Sequence, residues 1–350
     1  MARLWETVLG TGPVGVRDDF FALGGHSLKA FELMTAVRAV FGVELPLNLI
    51  FRRPTVELLC EALPEAAAAS GRLLVPLSDG AAGDDRPPLI LFHPRGGDVV
   101  CYLDLVRELA KTPDGGRRVL GVEAVGCNTD DAPLDDVPAM AERYLAAIRA
   151  EVPSGPYLLA GWSFGGTVAY EIAARIEAAG EQVAFLGLID SAAPGPRAGA
   201  EPDPGDDDLL RHGLAAGLDA DEARALDEEA LLDALIRKGR DNGSLPRHCA
   251  PQALRRMLRV ASANGAAAAA YRTDAVLDTP VHLFTVSEVH AELATPLVDP
   301  DPWKARASSV RHLPIPGNHH TLVDPPHSAV LADRLARAIA DATRLPGSGD

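Results

Sequence analysis

The chain has 350 residues, 47% of them hydrophobic, and a formal net charge of −16. That length and apolar content allow a sizeable core and one to three domains. The acidic balance excludes binding to nucleic acid or an anionic membrane face by bulk charge, because both need Lys/Arg patches. There is no basic-then-apolar leader and no apolar run long enough to span a bilayer, so the expected setting is soluble and cytoplasmic. Cys60, Cys101, Cys127 and Cys249 form no Cys-x-x-Cys pair and read as core thiols of a reducing compartment. No metal site is expected.

Residues 1–63 read as a compact helical unit. Leu4, Val8 and Leu9 open it on a short amphipathic helix, and Gly12, Pro13 and Gly15 mark a loop. Ser27 then stands at the N-cap position of a longer helix with an apolar stripe of Leu28, Phe31, Leu33, Met34, Val37 and Val40. Pro46 and Pro54 punctuate shorter segments, and Thr55 can cap a last helix carrying Val56, Leu58, Leu59 and Leu63. Pro64, an Ala run and a Gly/Asp/Pro-rich stretch reaching residue 87 form the domain boundary. The expected division is a small domain at 1–66, a linker at 67–87 and a larger domain at 88–345.

From Pro88 onward, short apolar runs alternate with helical patterns. The runs are 89–92, 119–125, 157–160, 184–189, 281–286 and a final strand at 310–315; a piece at 73–77 already fits this domain. Helical patterns cover 103–109, 140–148, 167–179 and a terminal helix at 329–342. Such alternation predicts a mostly parallel sheet covered on both faces. It stops between Pro194 and Asp278, where the acidic stretch 201–208 leads into helical patterns at 209–218, 222–238 and 251–271. This is a helical insertion at about 195–275, in the position of a lid.

Gly161-Trp162-Ser163-Phe164-Gly165 lies between the run at 157–160 and an amphipathic helix. A strand–turn–helix placement of Gly-x-Ser-x-Gly is what a nucleophile elbow requires. A serine hydroxyl needs a base to take its proton, and in this arrangement the chain order is Ser, then Asp or Glu, then His. Asp190 follows the run 184–189 at a strand end, with Asp324 as the next candidate for the acid. For the base, Pro316-Gly317-Asn318-His319-His320 follows the last strand, and His319 is preferred over His320. The N–H of Phe164 would stabilise an oxyanion, together with the N–H of Arg95 in the loop Phe92-His93-Pro94-Arg95-Gly96-Gly97. His93 reads as structural in that loop. The residues around Ser27 leave two readings open, an exposed helix cap or a phosphate-bearing attachment point at a helix N-terminus.

Asp18-Asp19-Phe20-Phe21-Ala22-Leu23-Gly24-Gly25-His26-Ser27-Leu28 resembles the peptidyl carrier signature of nonribosomal peptide synthetases. Leu4-Trp5-Glu6-Thr7-Val8-Leu9-Gly10 resembles the carrier's first helix, entered part-way, which reads as a piece of a larger synthetase or a short free-standing protein. Residues 72–345 resemble the type I thioesterase of such synthetases. The motifs are His93-Pro94-Arg95-Gly96-Gly97, Gly161-Trp162-Ser163-Phe164-Gly165-Gly166, Leu188-Ile189-Asp190 and Gly317-Asn318-His319. The Gly-x-His element of that family is the ground for preferring His319.

The resemblance implies a four-helix carrier domain followed by an α/β-hydrolase domain with a helical lid. It implies 4'-phosphopantetheine attached to Ser27 by a phosphopantetheinyl transferase using coenzyme A. It also implies upstream condensation and adenylation domains, and a peptidyl substrate passed to Ser163 and released by hydrolysis or macrocyclisation. Such chemistry belongs to antibiotic or siderophore biosynthesis. Two other readings are a carrier and docking scaffold with an inert hydrolase fold, and a serine esterase with an unrelated helical appendage.

Overall fold

The computed structural model describes residues 1–41, 45, 49–69, 71–113, 115–195, 218–241, 251–289 and 296–344. The acidic stretch 201–208 and residues 209–217 of the next expected helix lie outside the described residues. In chain order the first elements are α1 (Ala2–Leu9), α2 (Ser27–Phe41), α3 (Leu49–Arg52), α4 (Val56–Ala69), β1 (Leu74–Ser78), β2 (Leu89–Phe92), α5 (Leu103–Leu109), β3 (Val119–Val122) and α6 (Val137–Glu151). Then come β4 (Tyr157–Trp162), α7 (Phe164–Ala178), β5 (Val183–Ile189), α8 (Ala220–Ala225), α9 (Glu228–Asp241), α10 (Pro251–Ala270), β6 (Val281–Val286), β7 (Val310–Ile315) and α11 (His327–Thr343). The chain divides into two compact units. One holds Met1–Arg72, Val125–Pro133 and Ala200–Ser262; the other holds Leu73–Ala124, Leu134–Gly199 and Ala263–Asp350.

In the first unit, α1 ends where Gly10 turns left-handed (φ 70) and donates its N–H to Glu6 O. Trp5, Phe20, Leu33, Val37, Ile50 and Leu59 are fully buried together, with Trp5 and Phe20 meeting edge to face at 5.1 Å. The stripe expected on α2 stops a turn early: Val40 is 61% exposed, because four short helices supply too small a core to cover the last turn. Thr55 Oγ1 accepts the Leu58 N–H at 3.2 Å, a side-chain cap for α4. That helix passes through Pro64 to Ala69. The proline removes one hydrogen bond, but the four alanines after it are the strongest helix formers. The single helix expected at 222–238 is two helices, because the Asp227 carboxylate accepts the Ala230 N–H at 2.9 Å and starts α9 afresh. Ala223, Leu231, Leu232, Leu235, Ile236 and Leu258 form the apolar interior shared by α8, α9 and α10.

The second unit is built on a seven-stranded sheet in the order β1-β3-β2-β4-β5-β6-β7. Only β1 is antiparallel to its neighbour; the other five pairings are parallel. Successive strand residues point to opposite faces. Every residue of β2, β3 and β6 is buried, so both faces of the sheet are covered. Helices α7 and α11 pack on it, α7 beside α6 and α11 beside α5. The edge strand β7 is partly exposed, with Arg311 and His312 toward solvent. Among the described residues no helix is long and apolar enough to cross a membrane. Of the described cysteines, Cys60 is exposed, and Cys101 and Cys127 are half-buried; the expectation of core thiols fails most clearly at Cys60.

Candidate active site

Strand β4 leads straight into the elbow. Ser163 carries φ 56 and ψ −123, and α7 begins at the next residue. Close approach explains the flanking glycines. A Cβ on Gly161 would lie 2.2 Å from the Gly165 carbonyl carbon, and one on Gly165 would lie 2.3 Å from Phe92 O. The end of β2 therefore lies against the first turn of α7, and only a bare backbone allows it. The phenol of Tyr102 fastens the same place, donating to Phe92 O at 2.6 Å and accepting from the Trp162 N–H at 2.8 Å. Burial pushes the Tyr102 phenol well above its ordinary pKa, so it remains a donor.

The parallel register pairs Trp162 with Ile189, so the next residues, Ser163 and Asp190, stand at neighbouring strand ends. Ser163 N–H donates to Ile189 O at 2.8 Å, and Asp190 N–H donates to Phe284 O at 2.6 Å. Asp190 also has a left-handed backbone, φ 47, and is 2% exposed. One of its carboxylate oxygens accepts the Val286 N–H at 3.2 Å, and the other accepts His319 Nδ1–H at 2.6 Å. With that proton on Nδ1, Nε2 is the acceptor for the Ser163 hydroxyl at 3.1 Å. His319 reaches this point from the loop after β7, which turns at Gly317 (φ 90) and accepts the Glu288 N–H at Gly317 O, 3.1 Å. His320 does not join the relay; its N–H donates to Asn318 Oδ1 at 3.0 Å. Asp324 is exposed, and burial around its carboxyl together with nearby Asp104 raises its pKa.

His93 is fully buried. Its Nδ1–H donates to Pro94 O at 2.9 Å, and its Nε2 accepts the Tyr144 hydroxyl at 2.9 Å. The same Pro94 oxygen takes the Gly97 N–H at 3.0 Å. Pro94 C=O and Arg95 N–H share one planar peptide and point in opposite directions. Holding the carbonyl therefore restrains the Arg95 N–H at the other end of the same plane, though the plane can still pivot about the held oxygen. Phe164 N–H lies at the first position of α7, where the helix supplies no carbonyl partner.

Burial lowers the His93 pKa to about 4, and burial with nearby Arg311 lowers His282 to about 4. An unfolded histidine titrates near 6.5, so the unfolded chain binds more protons between those values. This contribution to stability is complete above pH 6.5 and is lost as the pH falls toward 4, by ~3 kcal/mol for each imidazole. His282 packs on Phe185, with ring centroids 4.9 Å apart. His282→Phe is therefore expected to lose less stability than the wild type between pH 7 and pH 4.5 in denaturant unfolding. Parallel losses in the two proteins would contradict this.

Ser27 begins α2, and His26 supplies the capping carbonyl, which accepts the Ala30 N–H at 2.8 Å. Ser27 is therefore one residue further into the helix than the N-cap position expected for it. The turn ahead is tightly built. Asp19 Oδ1 accepts the N–H groups of Phe21 and Ala22 at 2.8 and 3.0 Å, and Gly24 has φ 88. Gly25 has no room for a Cβ, which would meet the Phe20 ring at 2.3 Å. A phosphate ester fits here: the first-turn N–H groups of a 15-residue helix, which the helix itself leaves without carbonyl partners, favour an anion. Ser27 and Ser163 belong to different compact units.

Tyr102, Tyr144 and Asn264 escaped the sequence reading. Tyrosines in apolar segments look like core, and only their hydroxyl partners reveal more. Asn264 had one available signal, a polar amide within an alanine-rich helix.

Residues 87–341 match the Thioesterase domain family, and residues 1–63 match the Phosphopantetheine attachment site family. A dimodular nonribosomal peptide synthase of Bacillus subtilis (strain 168) is 35% identical over 249 residues, which is 70% of this chain and 10% of that protein. Among solved structures, holo-AB3403, a four-domain nonribosomal peptide synthetase bound to AMP and glycine, aligns with a TM-score of 0.68 and 29% identity. That alignment covers 99% of this chain and 26% of the other. The NocB thioesterase domain, in covalent complex with a fluorophosphonate nocardicin G analogue, aligns with a TM-score of 0.51 at 25% identity, covering 77% of this chain and 98% of that one. The chain thus spans a small part of the synthetases it matches. It belongs to the thioesterase family of nonribosomal peptide synthetases, with an α/β-hydrolase thioesterase domain preceded by a phosphopantetheine carrier domain.

Proposed function

We propose that this chain carries a peptide on Ser27 and releases it through an ester on Ser163. The observation that carries this reading is the continuous relay from Asp190 to His319 Nδ1 at 2.6 Å and from His319 Nε2 to Ser163 Oγ at 3.1 Å. Phosphopantetheine, when bound to Ser27, supplies a long arm ending in a thiol on which an acyl chain can be held as a thioester. His319 takes the Ser163 proton as Oγ attacks the thioester carbonyl. The negative oxygen that forms is met by the N–H groups of Phe164 and Arg95. Asp190 holds the imidazolium in place and stabilises its charge. His319 then returns the proton to the leaving sulfur, and the peptide remains as an ester on Ser163. In the second half, His319 draws a proton from water, giving a linear acid, or from an amine or hydroxyl of the peptide, giving a ring. A phosphopantetheinyl transferase with coenzyme A would modify Ser27, and upstream condensation and adenylation domains would supply the peptide.

The test is to load the carrier with a peptidyl phosphopantetheine and weigh what is released. A free acid or a ring lighter by one water is expected. A peptide still bound to the carrier after prolonged incubation would favour an inert scaffold and overturn the reading.

A further inference from the structure

Helix α10 becomes almost wholly small and apolar in its second half, Ala261-Ser262-Ala263-Asn264-Gly265 followed by five alanines. Asn264 interrupts that run and is 1% exposed. Asparagine is a poor helix former, and a buried amide is unfavourable unless it is hydrogen-bonded. Its partner is the oxyanion loop: Asn264 Nδ2–H donates to Arg95 O at 2.8 Å.

The consequence follows from peptide planarity. A residue's backbone has two soft rotations, each between its Cα and a flat peptide unit. The unit before the Arg95 Cα is gripped at Pro94 O by His93 Nδ1–H and by the Gly97 N–H. The unit after it is gripped at Arg95 O by Asn264. With both planes held, neither dihedral of Arg95 can drift, and its N–H keeps one direction. Without Asn264 the second plane loses that grip, and the Arg95 Cα between the two planes is less restrained.

We propose that Asn264 is a positioning residue for acyl transfer, one that keeps the Arg95 N–H aimed at the oxygen that becomes negative during attack by Ser163. The proposal rests on the reading of Arg95 as an oxyanion donor. An asparagine serving only as packing would be replaceable by a side chain of similar size. One serving as a donor is not: Asn264→Leu removes the N–H, and Asn264→Asp keeps the shape but sets an acceptor against a carbonyl.

The experiment measures kcat and KM on a soluble acyl thioester, with Ser163 titrated by a fluorophosphonate so that rates are counted per active site. In both variants kcat is expected to fall about 10- to 100-fold with KM within about twofold, less than the loss from removing an oxyanion donor outright. Affinity for a peptidyl trifluoromethyl ketone, which mimics the tetrahedral state, should fall in proportion. If the leucine variant does not fold, Asn264→Ser removes the amide with less disturbance and carries the same expectation. Amide NMR of the wild type separates the two ideas. If the Arg95 N–H signal does not move when the ketone binds, the oxyanion reading fails and the proposal fails with it. If it moves while the folded variants keep full kcat, the proposal alone is overturned.

Discussion

Ser163→Ala is expected to lower release of a thioester-bound acyl chain by at least about 10⁴-fold while leaving the fold intact. The hydroxyl is the only part of the relay that can form the ester, and its removal leaves His319 with a proton acceptor and nothing to deprotonate. The substitution does not disturb the elements that hold the site. Ser163 N–H still donates to Ile189 O, and His319 still meets Asp190. What survives is stabilisation by the backbone donors alone. Asp190→Asn should fall nearly as far, about 10³–10⁴-fold, because an amide there accepts the wrong imidazole tautomer or donates where the carboxylate accepted. Labelling by a fluorophosphonate probe should disappear in Ser163→Ala. Persistent labelling or turnover in that variant would move the nucleophile elsewhere, and full activity in Asp190→Asn would move the acid elsewhere.

Ser27→Ala is expected to separate the two domains functionally. Incubated with coenzyme A and a promiscuous phosphopantetheinyl transferase, the wild type should gain the mass of one phosphopantetheine, and the variant none. Release of a tethered peptide should vanish in the variant, whereas turnover of a soluble acyl thioester should stay within about twofold of wild type, because Ser27 has no place in the relay at Ser163. A mass gain that persists in Ser27→Ala, or is absent from the wild type, would remove Ser27 as the attachment point. An esterase with an unrelated appendage predicts the second of these outcomes.

Much of this was legible before any coordinates. Chain order, short apolar runs and a Gly-x-Ser-x-Gly turn were enough to bring forward Ser163, Asp190 and the pair His319 and His320, because strand ends in a parallel sheet converge on one edge, but the choice of His319 rested on the family resemblance. Ser27 was legible only through the motif around it, since its local chemistry is that of any residue at the start of a helix. The broken helix at Asp227 was missed because apolar spacing runs straight across it, and a capping carboxylate leaves little trace in hydrophobic periodicity. The extension of α4 past Pro64 was missed for the opposite reason, since a proline is a stronger local signal than the four alanines that outweigh it. The grip on the loop after β2 by His93, Tyr144 and Asn264 was illegible, because its parts lie 51 and 169 residues apart and meet only in three dimensions.

Ser163 and Asp190 are the two non-glycine residues with positive φ among those described, at 56° and 47°. A backbone held there is strained by about 1–3 kcal/mol. At position 163 glycine would relieve that strain, so on the proposed mechanism the more stable chain would be an inactive one. Selection for hardiness alone would act against a serine at this position. A lineage that kept this domain but no longer needed its product would be expected to lose Ser163 early, and to gain stability from the loss.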